Sequence, residues 1–164
     1  MKKILINLIL FQLGWFFCVL GGDLYALVYL PIALLLHQCL VLTDRGEWWL
    51  ILAVAIVGSC WDVLMVQVGV MHYGSDLLFG IPLWLLCLWL LFATTFRYSL
   101  FWLRQNLWLT ALLAALVGPA NYWLGTKITE ASIASPVLLS LGIMAIGWAL
   151  LFPCCLYYAG KSKD

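Results

Sequence analysis

Apolar residues occupy six long stretches of this chain, 4–20, 24–42, 48–70, 77–96, 106–124 and 133–158, and most charged residues collect in the short connections between them. About 20 apolar residues are needed to cross a hydrocarbon core roughly 30 Å thick, so each stretch is a candidate span. Inside lipid the backbone N–H and C=O groups must be satisfied within the segment, which makes the α-helix the expected conformation. The pattern predicts an all-α polytopic membrane bundle, one domain over 1–164 with six transmembrane helices. The third and sixth stretches exceed the minimum, which leaves room for tilt. No linker, soluble domain or internal repeat interrupts the series.

Composition rules out a water-soluble alternative: 66% of the 164 residues are hydrophobic and 9% charged, against about 45–50% and about 25% in soluble domains. The net charge is +1 and the basic residues stand singly or in pairs, so there is no basic patch for nucleic acid. Their distribution sets the orientation, because cytoplasmic loops retain Lys and Arg. Lys2, Lys3, Arg45, Arg97, Arg104, Lys161 and Lys163 fall on one side of a six-helix arrangement, and only Lys127 on the other. Both termini, the 43–47 turn and the 97–104 connection are therefore expected in the cytoplasm of a bacterial inner-membrane protein. Asp23, the 72–76 turn and the 126–132 loop are expected outside. Lys2 and Lys3 ahead of an apolar run ending at Gly21 and Gly22 also fit a cleaved signal peptide. Asn7, Gln12 and Trp15 make that run more polar than a signal core, which favours a retained helix.

Familiar chemistry is sparse. Cys18, Cys39, Cys60, Cys87, Cys154 and Cys155 lack zinc or redox spacing and read as small hydrophobes in helix packing. His37 and His72 fall on opposite predicted sides, so no metal site is expected. Asp44, Arg45 and Glu47 read as a solvated turn, with Glu47 favourably placed at a helix start. No catalytic triad, phosphate loop or HExxH helix is present, and no cofactor is indicated.

Asp62 is the position that stands out. It lies in Gly58-Ser59-Cys60-Trp61-Asp62, on the outer side of the third stretch. An ionisable group at that depth costs ~2.5–3.5 kcal/mol or more and marks a functional site by default. Helical spacing places Ala55, Gly58, Asp62 and Gly69 on one stripe, small apart from the acid, where another helix can approach. Thr110, Ala114 and Gly118 form a second small-residue stripe leading to Gly118-Pro119-Ala120-Asn121-Tyr122. Pro82-Leu83-Trp84-Leu85 breaks the fourth stretch at a corresponding depth. Asp62, Trp84, Asn121 and Tyr122 are thus expected to converge on one ligand-binding cavity in the outer half of the bundle. The alternative for Asp62 is an interhelical hydrogen-bond post.

Gly58–Asp62, Pro82–Trp89 with Phe92-Ala93-Thr94, Ser99–Leu103 and Gly118–Tyr122, taken in order, resemble an uncharacterised family of bacterial inner-membrane proteins, a domain of unknown function covering nearly the whole chain. That resemblance implies a link to lipid metabolism through genes of fatty-acyl modification, and no site residues. In size and topology the chain is also similar to the six-helix substrate-binding components of vitamin transporters and to the small membrane subunit of the rod-shape machinery. Its ten tryptophans invite comparison with the tryptophan-rich sensory membrane proteins, but the proline- and tryptophan-dense run of that family is absent. Trp48, Trp49, Trp102 and Trp108 sit where an interfacial belt would place them.

The expected function is a binding protein for a membrane lipid or small hydrophobic ligand, working with a membrane-protein partner in an envelope or membrane-lipid process. Two alternatives stay open: a membrane enzyme acting on an acyl or isoprenoid lipid with Asp62 as acid or base, and a small transporter or transporter substrate-binding component.

Overall fold

The computed structural model describes residues 1–74 and 77–161. Asp76, at the end of the outer turn, and Lys163, in the charge count, lie outside the described residues. Five helices are described: α1 (Lys2–Leu40), α2 (Glu47–Gln67), α3 (Leu83–Ala93), α4 (Leu107–Ile128) and α5 (Val137–Lys161). α1, α2, α4 and α5 are long and apolar enough to cross a membrane. Their outer faces carry exposed Leu24, Leu112, Leu138, Ile146 and Leu150, whereas Asn7, His37, Asp62 and Thr110 are buried. Apolar outside and selectively polar inside is the arrangement of a membrane protein.

The first two apolar stretches, up to Leu40, fall within α1, which is not straight. Gly22 has φ 65 and ψ −158, a region essentially confined to glycine. The Tyr29 hydroxyl donates to the Leu10 carbonyl at 2.8 Å, although 19 residues of straight helix would separate them by about 28 Å. Phe17 and Tyr29 stack with ring centroids 4.7 Å apart. The arms 2–21 and 23–40 therefore fold back on each other.

The fourth stretch departs further from expectation. A helix over 77–96 is predicted, yet α3 has 11 residues and rises only about 16 Å. Pro82 is extended (φ −75, ψ 158), and the preceding 3₁₀ turn at Leu78–Gly80 contains Phe79 at φ 61. At the other end Thr94 and Thr95 donate their hydroxyls to the Leu91 and Phe92 carbonyls at 2.7 and 2.5 Å, a local bonding mode that competes with helix continuation. α2 stops before Val70 because Gly69 (φ 72) turns the chain, with the Val70 amide returning to the Met65 carbonyl at 2.8 Å. Gly69 accordingly lies off the stripe that Ala55, Gly58 and Asp62 keep on the buried face of α2. Ile133 belongs to a two-residue strand and not to the last helix: β1 (Met71–His72) pairs antiparallel with β2 (Ser132–Ile133).

The arms of α1 pack on α3 through Cys18, Ala26 and Ala33, against Cys87 and Leu91. Asn7 locks the first arm there: its amide donates to the Thr94 carbonyl and hydroxyl at 3.1 and 3.2 Å, and its Oδ1 accepts from the Ser99 hydroxyl at 2.7 Å. α3 also packs on α2, and α4 on α5. Large rings join the two sides. Trp89 of α3 stacks on Trp148 of α5, with centroids 5.5 Å apart at 16°, and Phe92 stacks on Phe152 at 5.8 Å. Glycines make room for them, since a Cβ at Gly58 would meet the Trp89 ring, one at Gly118 the Trp148 ring, and one at Gly147 the Trp61 ring. At Gly142, also on α5, a Cβ would meet nothing within 4 Å.

That contrast is testable by thermal unfolding in detergent. Gly142→Ala gains helix propensity and leaves the midpoint unchanged or raised. Gly147→Ala, despite the same gain, displaces Trp61 and costs ~1–3 kcal/mol. Equal behaviour of the two variants would contradict the packing.

Candidate functional site

Asp62 is fully buried on the inward face of α2, in line with Glu47, Leu50, Val54, Ala55 and Gly58. A buried carboxylate is tolerated only when its oxygens are hydrogen-bonded, and three donors from three other parts of the chain reach it. Trp89 Nε1 donates to Oδ2 at 2.5 Å. The Tyr122 hydroxyl donates to Oδ1 at 2.5 Å, and the Tyr73 hydroxyl approaches the same oxygen at 3.4 Å. Local sequence explains the geometry. Gly58, one turn before Asp62, lets the Trp89 ring lie against α2. Tyr122 continues the Thr110, Ala114, Gly118 stripe at spacing four, and all three of those residues are buried. Tyr73 is delivered by the β1–β2 ribbon, which the Ala134 amide extends by donating to the Val70 carbonyl at 3.0 Å.

Of the four residues expected to converge, Asp62 and Tyr122 bond directly and Trp84 is one ring away. Trp84 meets Tyr73 edge-on, with centroids 6.3 Å apart at 79°. Its backbone amide is capped by Asp23 Oδ1 at 2.8 Å, which ties the α1 reversal to the start of α3. Asn121 stands apart: it is exposed, and its amide donates to the Val117 carbonyl of its own helix at 2.8 Å. It shares the depth of Tyr122 but lies about 100° away around the helix. Tyr73 and Trp89 carry the site equally and escaped the sequence reading. The signal available for Trp89 was Gly58, a gap beside the acid that only a large flat ring fills.

Beside Tyr73 and Trp84 a cavity of about 330 Å³ opens, bordered also by Gly21, Gly22, Thr129 and Glu130. Tyr73 is thus shared, lining the cavity while its hydroxyl turns to Asp62. A separate groove of about 410 Å³, lined by Ala115, Pro119, Ala120, Trp123 and Gly142, runs between α4 and α5 and is almost wholly apolar.

A second polar cluster occupies the opposite end of the bundle. His37 Nε2 and Glu47 Oε1 are 2.9 Å apart, both side chains almost fully buried, and the Tyr98 hydroxyl donates to Glu47 Oε2 at 2.8 Å. The expectation of a solvated turn holds for exposed Asp44 and Arg45 and fails for Glu47, which the end of α1 covers. The Gly46 amide and the Arg97 guanidinium hold the Asp44 carboxyl below its usual range, Arg97 Nη1 donating to Asp44 Oδ2 at 3.1 Å. Among the described residues no three His, Cys, Asp or Glu side chains group as metal ligands.

Comparison with known proteins places this arrangement in a family and goes no further. Residues 4–154 match the family described as "Protein of unknown function (DUF2878)", and the chain belongs to it. Neither the curated proteins nor the solved structures gave a match.

Proposed function

We propose that this family member is a bacterial inner-membrane protein of six passes with both termini in the cytoplasm, and that its outer-half cavity binds a membrane lipid or small hydrophobic molecule in an envelope or membrane-lipid process. The six-pass reading is supported by the reversal at Gly22, which turns α1 into two arms, and by the seven-to-one distribution of basic residues. α3 alone is too short to cross a core of roughly 30 Å. Its flanks, extended at Ile81 and Pro82 and turned after Thr94, with Ile81, Thr95 and Phe96 buried, complete the pass, since irregular backbone is tolerated at membrane depth when covered by protein.

The observation that carries the binding reading is the sharing of Tyr73 between the Asp62 hydrogen bonds and the adjoining cavity. Ligand sites combine an apolar and aromatic lining with a few directed polar groups held from behind, and Asp62 with Trp89 and Tyr122 supplies that rigid backing. The apolar groove between α4 and α5 adds a surface suited to an acyl chain. Acid–base chemistry at Asp62 has less support, because its oxygens are engaged by three donors of the chain itself and a substrate would have to displace one.

Two measurements test the proposal. Protein purified in mild detergent carries a lipid or hydrophobic small molecule identifiable by mass spectrometry, and a photo-reactive residue at Leu20 on the cavity rim cross-links to it whereas one at Asn121 does not. A bound water-soluble metabolite would point to transport, and equal labelling at both positions would remove the cavity as the site. Reporter fusions at Lys161 give a cytoplasmic signal and fusions within 126–132 an external one; termini on opposite sides would end the six-pass reading.

A further inference from the structure

We infer that the ligand group seated in this cavity is a cationic ammonium, either a lipid headgroup amine or a soluble amine. The inference rests on the cavity being a binding site and adds the chemistry that it selects. Two aromatic residues, Tyr73 and Trp84, are among those that border the space, their rings meeting edge-on at 79°. Aromatic faces attract cations within about 6 Å through the ring quadrupole, and pairs of such walls are the usual seat of quaternary and primary ammonium groups.

Charge points the same way. Glu130 is among the lining residues, and no described Lys, Arg or His is. The basic group on the adjoining helix turn, Lys127, has its Nζ 5.1 Å from the Trp123 ring centroid, and Trp123 borders the α4–α5 groove instead of this cavity. Thr129 and Glu130 follow directly on the C-terminal end of α4, where the helix dipole is negative and favours cations. Gly21 and Gly22 border the space without side chains. A volume of about 330 Å³ is at the lower end of the ~300–1,000 Å³ of small-molecule sites, suited to a compact headgroup. An anion would meet Glu130 with no basic lining residue to offset it.

The test uses the full-length protein in phosphatidylglycerol nanodiscs, with radiolabelled choline as the cationic probe and 3,3-dimethylbutan-1-ol as its neutral isostere in competition. Choline binds saturably and the neutral isostere competes about tenfold or more less well, the scale of a partly desolvated cation–π and carboxylate contact. Glu130→Gln weakens choline about tenfold, and Trp84→Phe, which keeps a ring of lower electron density, weakens it less. Including phosphatidylethanolamine in the disc displaces choline if the natural ligand is a lipid headgroup and leaves it bound if the ligand is a soluble amine; either result agrees with an ammonium site, and the second replaces the lipid reading with transport. Equal competition by the isostere, choline binding indifferent to both substitutions, or no saturable choline binding would overturn the inference. The cavity reading has its separate test in the Leu20 cross-link, so a neutral ligand captured there would leave that reading standing while removing this one.

Discussion

A carboxylate buried in an apolar bundle must find its hydrogen-bond partners within the chain, and that constraint organises one half of this protein. Asp62 is fully buried, so its oxygens must be satisfied by the chain. The donors that do so come from α3, from α4 and from the residue directly after β1. Meeting the requirement fixes the spacing of these elements relative to α2, and it fixes Tyr73, which also lines the cavity. The acid is therefore best understood as the post that holds α2, α3, α4 and Tyr73 together.

Packing elsewhere follows from the same shortage of solvent. Lipid gives helices no hydrophobic reason to associate, so contact depends on close fit and on buried polar pairs. The chain supplies both. Glycines at 58, 118 and 147 receive the rings of Trp89, Trp148 and Trp61. The Asn7 amide and the His37–Glu47–Tyr98 cluster hold the arms of α1 to α2 and to the end of α3. Polar clusters thus lie at both ends, with stacked aromatics between them.

Much of this was legible in the sequence where periodicity and charge speak to it. Four helices lie where the apolar runs place them, the break at Gly21–Gly22 is real, and the stripes through Gly58 and Asp62 and through Thr110, Ala114 and Gly118 face inward. What the sequence hides is rotation and irregular backbone. Asn121 and Tyr122 share a depth, and only continuation of the spacing-four stripe separates the residue that enters the site from the one that leaves it. Trp89 sits on a helix apolar on every side, so no amphipathic signal marks its inner face. Tyr73 depends on a ribbon of two-residue strands, too short to show a period of two. Glu47 reads as part of a polar turn because its partners, His37 and Tyr98, are distant in sequence.

The most direct test of Asp62 as the organising contact is a pair of double-mutant cycles, Asp62→Asn with Tyr122→Phe and Asp62→Asn with Trp89→Phe, read by reversible unfolding in detergent. Residues that share a hydrogen bond couple, and each cycle is predicted to show an interaction energy within ~0.5–3 kcal/mol. Additivity within about 0.3–0.5 kcal/mol in both cycles would contradict the account and leave Asp62 without a structural claim on either helix.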